Sequence, residues 1–187
     1  MQKIIESRFD DISNNFIKLK KISLELDKIA KIMVSALKAG NKIMFCGNGG
    51  SAADAQHLAS ELVGNYRLKR NAYNAISLVT DTSALTALGN DFGFEYIFSR
   101  QIEGLGKKGD VLICLSTSGN SINILNAIKK AKETGIVTIL LTGESESLAK
   151  QLADYTISAP SNITNNIQEM HIAIGHLLCE IIEKSLT

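Results

Sequence analysis

The sequence predicts an α/β fold: a three-layer sandwich with a five-stranded parallel sheet flanked by helices, preceded by a long N-terminal helical arm. Three observations lead there. Five short apolar runs, at 42–46, 75–79, 111–115, 136–141 and 155–158, are separated by stretches with helical spacing. The runs are almost uniformly apolar rather than alternating, as expected of strands buried on both faces. Small polar residues follow several of them, at 47–51, 80–83, 116–121 and 142–143. Ligands bind at these carboxyl ends of strands in open parallel sheets.

Residues 1–39 contain neither Gly nor Pro. Ile5, Phe9, Ile12, Phe16 and Leu19 form one stripe; Leu24, Ile29, Ile32, Met33 and Leu37 form another. One or two long amphipathic helices ending at Gly40 are predicted, packing on the sheet or on another subunit. Further helices are predicted at 51–64, between 80 and about 105, at 121–134, at about 145–152 and at about 164–185. The single proline, Pro160, joins the last strand to the last helix. No interdomain linker is evident, so 1–187 reads as a single domain.

At 187 residues, the chain is long enough for one well-buried α/β domain. Twenty basic residues face nineteen acidic ones, which leaves no global field for nucleic acid or an anionic membrane. Cys46, Cys114 and Cys179 include no C-x-x-C pair, and two lie inside apolar runs. They read as buried small hydrophobes in a reducing compartment. No apolar run approaches the roughly 20 residues of a membrane span, and residues 1–8 lack a signal-peptide core. A cytoplasmic location is predicted.

Ser116-Thr117-Ser118-Gly119-Asn120-Ser121 joins a predicted strand to a predicted helix. Its hydroxyls can donate to an anion, Gly119 allows close backbone approach, and the amides opening the helix are unpaired. Without a Gly-Lys-Ser/Thr ending it is not a triphosphate loop, and it suits a terminal phosphate better. Helix capping alone does not need so many hydroxyls. The loop 47–52 fits a loose G-x-G-x-x-A pattern, but no acidic residue stands at the distance expected of a dinucleotide site. Asn48, Ser51 and the backbone amides there can hold sugar hydroxyls instead. No nucleotide cofactor is predicted.

His57 and Glu61 are four apart, and so share one helix face. On the last helix Gln168 and His176 lie about 80° apart, with His171 about 60° to the other side of Gln168. Spacing does not choose between the two histidines. A carboxylate, an imidazole and a phosphate cradle together suggest proton transfer on a phosphosugar.

The segments 46–57, 89–93 (Gly89-Asn90-Asp91-Phe92-Gly93), 116–121 and 167–171 (Ile167-Gln168-Glu169-Met170-His171) occur in the order seen in the bacterial phosphoheptose isomerases. The whole chain resembles that group of the sugar isomerase (SIS) family, whose sheet is flavodoxin-like. The resemblance implies an aldose–ketose isomerase converting D-sedoheptulose 7-phosphate to D-glycero-D-manno-heptose 7-phosphate. That is an early step towards the heptoses of lipopolysaccharide, capsule or S-layer glycans. It implies Glu61 as general base and His176 as general acid. Asn48, Gly49, Gly50, Asn90, Asp91, Ser116, Thr117, Ser118, Ser121 and Gln168 would hold substrate. It implies zinc bound through His57, Glu61, Gln168 and His176, and a homotetramer with active sites at subunit interfaces. Relatives often carry Arg where this chain has Asn166. Three other readings compete. They are a non-catalytic SIS protein that associates with the replication initiator, an SIS isomerase for another sugar phosphate, and a dinucleotide oxidoreductase disfavoured by its poor fingerprint.

Overall fold

A computed structural model describes residues 1–187. Two helices, α1 (Gln2–Leu19) and α2 (Ser23–Lys38), are joined by a 3₁₀ turn at Lys20–Ile22. The α/β part then runs β1 (Ile43–Gly47), α3 (Gly50–Val63), β2 (Ala75–Ser77), α4 (Thr82–Asp91) and α5 (Ile97–Leu105). It continues β3 (Val111–Leu115), α6 (Ile122–Thr134), β4 (Val137–Thr142), α7 (Leu148–Leu152), β5 (Tyr155–Ser158) and α8 (Thr164–Leu186). All five strands pair in parallel, in the order β2-β1-β3-β4-β5. This is the doubly wound order of flavodoxin, and its switch point lies between β1 and β3.

β1 and β3 are buried at every position, which explains their unbroken apolar character. One apolar core runs from Leu26 on α2 to Ile182 on α8. Helices α2 and α3 pack on α8, while α5 and α6 pack on each other. Asp110, fully buried before β3, braces the opposite end of the sheet: it accepts from the amides of Lys42 and Lys107, each at 2.9 Å. It also pairs with Lys42 Nζ at 2.5 Å.

The five predicted strands are all present; several boundaries move by one residue, and two differ by more. The second strand stops at Ser77 rather than Val79, because this edge strand has only β1 as a partner, over three register pairs. The helix expected from about residue 145 starts at Leu148, where Ser147 Oγ accepts from Lys150 N. The first apolar stripe of the helical arm finds little cover within the chain: Phe9 is 66% exposed and Ile5 55%. Helix α1 touches α8, where Arg8 pairs with Glu169 at 2.7 Å. By contrast α2 buries Leu26, Ile29, Ala30, Met33 and Ala36. All three cysteines are free and buried. Cys46 and Cys114 are register partners with sulfurs 3.5 Å apart, and that hydrogen bond, with burial, pushes the Cys114 thiol well up.

Candidate active site

The two loops singled out in the sequence follow β1 and β3, the neighbouring strands at the switch point. Between them lies a small polar cavity of about 70 Å³. Asn48, Ser51, Ser116, Thr117, Ser118, Ser121 and Gln168 line it. Local chemistry shapes the serine loop as a donor surface. Gly119 turns the chain at φ +64°, with its amide donating to Ser116 Oγ at 3.1 Å. Asn120 N donates to Ser118 Oγ at 3.2 Å. Each hydroxyl oxygen thus accepts a backbone N–H and keeps its own hydrogen to donate. The amides of Thr117, Ser118 and Ser121 donate to no group in the chain, and Ser121 stands at the N-terminus of α6. Such a nest of donors beside a helix dipole attracts an anion.

The first loop is held to α6 by a reciprocal amide pair. Asn48 Nδ2 donates to Asn123 Oδ1 and Asn123 Nδ2 to Asn48 Oδ1, both at 2.9 Å. Each amide keeps one hydrogen and one lone pair for a ligand. Gln168 reaches the same cavity because position 50 is glycine. A Cβ there would stand 2.7 Å from Gln168 Nε2.

A second polar cluster forms where α3 meets α8. His57 Nε2 lies 2.8 Å from His176 Nε2 and 3.4 Å from Glu61 Oε1. At 2.8 Å, one ring nitrogen donates and the other accepts. Tyr66 lies against His176, with ring centroids 5.7 Å apart and planes tilted by 37°. Asp54, one turn before His57, brings a second carboxylate to this face of α3. Burial raises its pKa, partly offset by the nearby His57.

Two imidazoles and a carboxylate whose ligand atoms all lie within 4.8 Å could hold a metal ion, and zinc is bound by such nitrogen and oxygen donors. Zinc–nitrogen bonds of about 2.0–2.1 Å in a tetrahedral site space two nitrogens about 3.3 Å apart, so the rings need to part by about half an ångström. Side chains as exposed as His57 (46%) have that freedom. The donor set fits. Gln168 stands apart from the cluster: its Cα is about 12 Å from that of His176 along α8, and its amide is packed on Gly50.

Nine of the eleven residues predicted to hold substrate are gathered around the two loops: seven line the cavity, and Gly49 and Gly50 form the turn into α3. Ser51 is almost fully buried there. Asn90 and Asp91 are elsewhere, exposed at the end of α4 and bonded to each other at 2.8 Å. His171, which spacing could not separate from His176, is fully buried, with Nε2 3.2 Å from the Thr142 carbonyl. Burial pushes it down to about 4, against the pull of that carbonyl, so it stays a neutral core group. Asn166 is buried at the start of α8. Asn123 and Tyr66 were not foreseen. Asn123 sits in the first turn of α6, two residues past the serine loop, and that position was the available signal. Nothing in spacing marks Tyr66, because the irregular stretch after α3 decides where its ring falls.

The SIS domain model matches residues 9–143. A phosphoheptose isomerase of Akkermansia muciniphila is 53% identical over 186 residues, covering 100% of this chain and 98% of that one. The solved structure of phosphoheptose isomerase from Neisseria gonorrhoeae is 39% identical with a TM-score of 0.92. That from Francisella tularensis is 36% identical with a TM-score of 0.94. Each covers 98% of both chains. An extensive match of this kind, with the fold and both polar clusters in place, identifies the chain as an isomerase enzyme of the SIS-domain family, belonging to its phosphoheptose isomerases.

Proposed function

We propose that the chain interconverts D-sedoheptulose 7-phosphate and D-glycero-D-manno-heptose 7-phosphate, an early step in bacterial heptose synthesis. The observation that carries this reading is the meeting of Glu61 with the two imidazoles His57 and His176, on helices that also border the donor-rich loop. The loop after β3 grips the phosphate through the hydroxyls of Ser116, Thr117, Ser118 and Ser121 and the unpaired amides beside them. Asn48, Ser51 and Gln168 hold the sugar between the cradle and the proton-transfer groups.

Glu61 removes a proton from C1 of the ketose while His176 donates one to O2, giving a neutral enediol. Glu61 then returns its proton to C2, and the O1 hydroxyl gives its proton back to His176. The products are the aldehyde and the regenerated pair. His57 orients both partners. A zinc ion held by His57, Glu61 and His176 would supply Lewis-acid polarisation of the carbonyl. The same lone pairs serve metal binding and proton transfer, so metal occupancy and turnover are linked at these three residues.

The chain acts as one domain in the cytoplasm, and no helix is long and apolar enough to cross a membrane. We assign it to a homotetramer with active sites at subunit contacts. The uncovered apolar residues of α1 support this, as does an apolar groove of about 600 Å³ between the α1–α2 turn and α8. Its lining of Phe16, Leu19, Leu26 and Leu177 suits a protein surface rather than a phosphosugar. In such an assembly Asn90 and Asp91, exposed beside the exposed Phe92 and Phe94, would serve a neighbouring subunit's site.

The test is a panel of C5 to C7 ketose phosphates assayed without nucleotide, with and without chelator followed by zinc. Turnover of the C7 ketose, reduced by on the order of 10²–10⁴-fold in Glu61→Gln with the fold retained, is expected. Full activity of that variant refutes the assigned base. Preference for a shorter ketose refutes the substrate.

A further inference from the structure

The stretch 64–74 crosses from α3 towards β2 and is pinned by a buried ion pair. Glu183 on α8 and Arg70 have side chains only 2% and 4% exposed, with Arg70 Nε 3.0 Å from Glu183 Oε1. Every polar atom of the pair is used. Glu183 accepts from the amides of Tyr66 (3.2 Å), Arg67 (2.9 Å) and Leu68 (3.0 Å). The guanidinium donates to the carbonyls of Glu61 (2.9 Å), Leu62 (3.0 Å) and Asn71 (3.0 Å). Its far face stacks on Tyr73 at 3.8 Å. Burial opposes the charge of Glu183, but the amides and the guanidinium outweigh it and hold its carboxyl below the ordinary value.

Stability alone does not call for such a pair, since well-packed apolar residues commonly do as well. Its partners indicate a geometric role. Arg70 caps the last turn of α3 and grips the carbonyl of Glu61 itself. Glu183 lies two turns beyond His176 on nearly the same face of α8. By collecting three successive amides it sets the backbone that lays the Tyr66 ring against His176. One clamp therefore touches both helices of the acid–base cluster.

We propose that Arg70 and Glu183 are positioning residues, locking the 64–71 stretch between α3 and α8 so that Glu61 and His176 stay in register and Tyr66 seats the His176 ring. The proposal rests on Glu61 and His176 being the proton-transfer pair.

The test compares Arg70→Lys, Tyr66→Leu and Glu61→Gln in the full-length enzyme, by steady-state kinetics and by the ring resonances of His176. Lysine keeps the charge opposite Glu183 but loses the fork onto the α3 carbonyls. In Arg70→Lys, kcat should fall on the order of 10- to 100-fold with KM nearly unchanged, and the His176 resonances should move. Tyr66→Leu should show the same split, more weakly. A clamp that only stabilises the fold would lower the melting temperature and leave both readouts as in the wild type, which overturns the proposal. If Arg70→Lys does not fold, Tyr66→Leu decides. Wild-type kcat with unmoved resonances overturns the proposal, and reduced kcat with moved resonances supports it. Glu61→Gln separates the two levels. If it is fully active, the reading of the proton-transfer pair fails, whatever the clamp variants show. If it is inactive while Arg70→Lys and Tyr66→Leu match the wild type, only the clamp fails.

Discussion

Substituting Gly175 by alanine tests whether the close crossing of α3 and α8 sets the acid–base cluster. A Cβ at 175 would lie 2.9 Å from Leu58 Cγ and nearer still to both methyls. Leu58 is 1% exposed, so it has no room to yield. Restoring contacts of 3.4–4 Å to the nearest methyl requires the helices to part by about 1.1–1.7 Å. Gly175 precedes His176 and Leu58 follows His57. The displacement therefore carries the 2.8 Å imidazole contact to about 3.9–4.5 Å, beyond the limit of a hydrogen bond. Overpacking costs about 1–3 kcal/mol, while alanine in place of glycine within a helix returns about 1 kcal/mol. The net loss of stability is about 0–2 kcal/mol, but a misplacement near 1 Å costs on the order of 10²-fold in rate. Urea unfolding and kcat/KM on sedoheptulose 7-phosphate should accordingly disagree, with near-native stability and severely reduced turnover. Adding Leu58→Ala removes the clash and should recover much of the activity while costing a further 2–5 kcal/mol or so. Wild-type turnover in Gly175→Ala, measured on enzyme that is demonstrably folded, refutes the reasoning.

Three further outcomes are expected. Gly119→Ala places a side chain at φ +64° and a Cβ 2.7 Å from Ser147 Cβ. It should lose about 2 kcal/mol of stability and bind inorganic phosphate more weakly, both readable by thermal shift with and without phosphate. His171 takes up a proton near pH 6.5 when unfolded but only near 4 when folded. Its contribution is therefore complete above about pH 6.5 and is lost as pH falls towards 4, by about 3 kcal/mol in total; denaturant melts at pH 7.5, 6 and 5 should show that slope, reduced in His171→Gln. Asp110→Ala strands the Lys42 and Lys107 amides and a largely buried ammonium. A loss of about 3–5 kcal/mol is expected, with kcat of the surviving folded enzyme unchanged because the brace is at the far end of the sheet from the loops.

The parallel sheet, its five strands and the serine loop were legible from sequence because they depend on local pattern. Uniformly apolar runs mark strands covered on both faces, and polar residues at their ends mark where chain reversals open towards solvent. The pairing of His57 with Glu61 was legible for the same reason, since four residues span one helical turn. What decided between His171 and His176 was the packing of α8, which turns one ring into the core beneath Thr142 and the other out against α3. The approach of the two helices depends on Gly175 meeting Leu58, a contact between residues more than a hundred positions apart that no periodicity encodes. The same holds for the grip of Glu183 on the amides after α3. Sequence by itself determined which groups the chain owns and on which elements they ride; the tertiary structure alone brought carboxylate, imidazoles and aromatic ring together, because their distances are set by side-chain volumes and buried charges across the helix crossing.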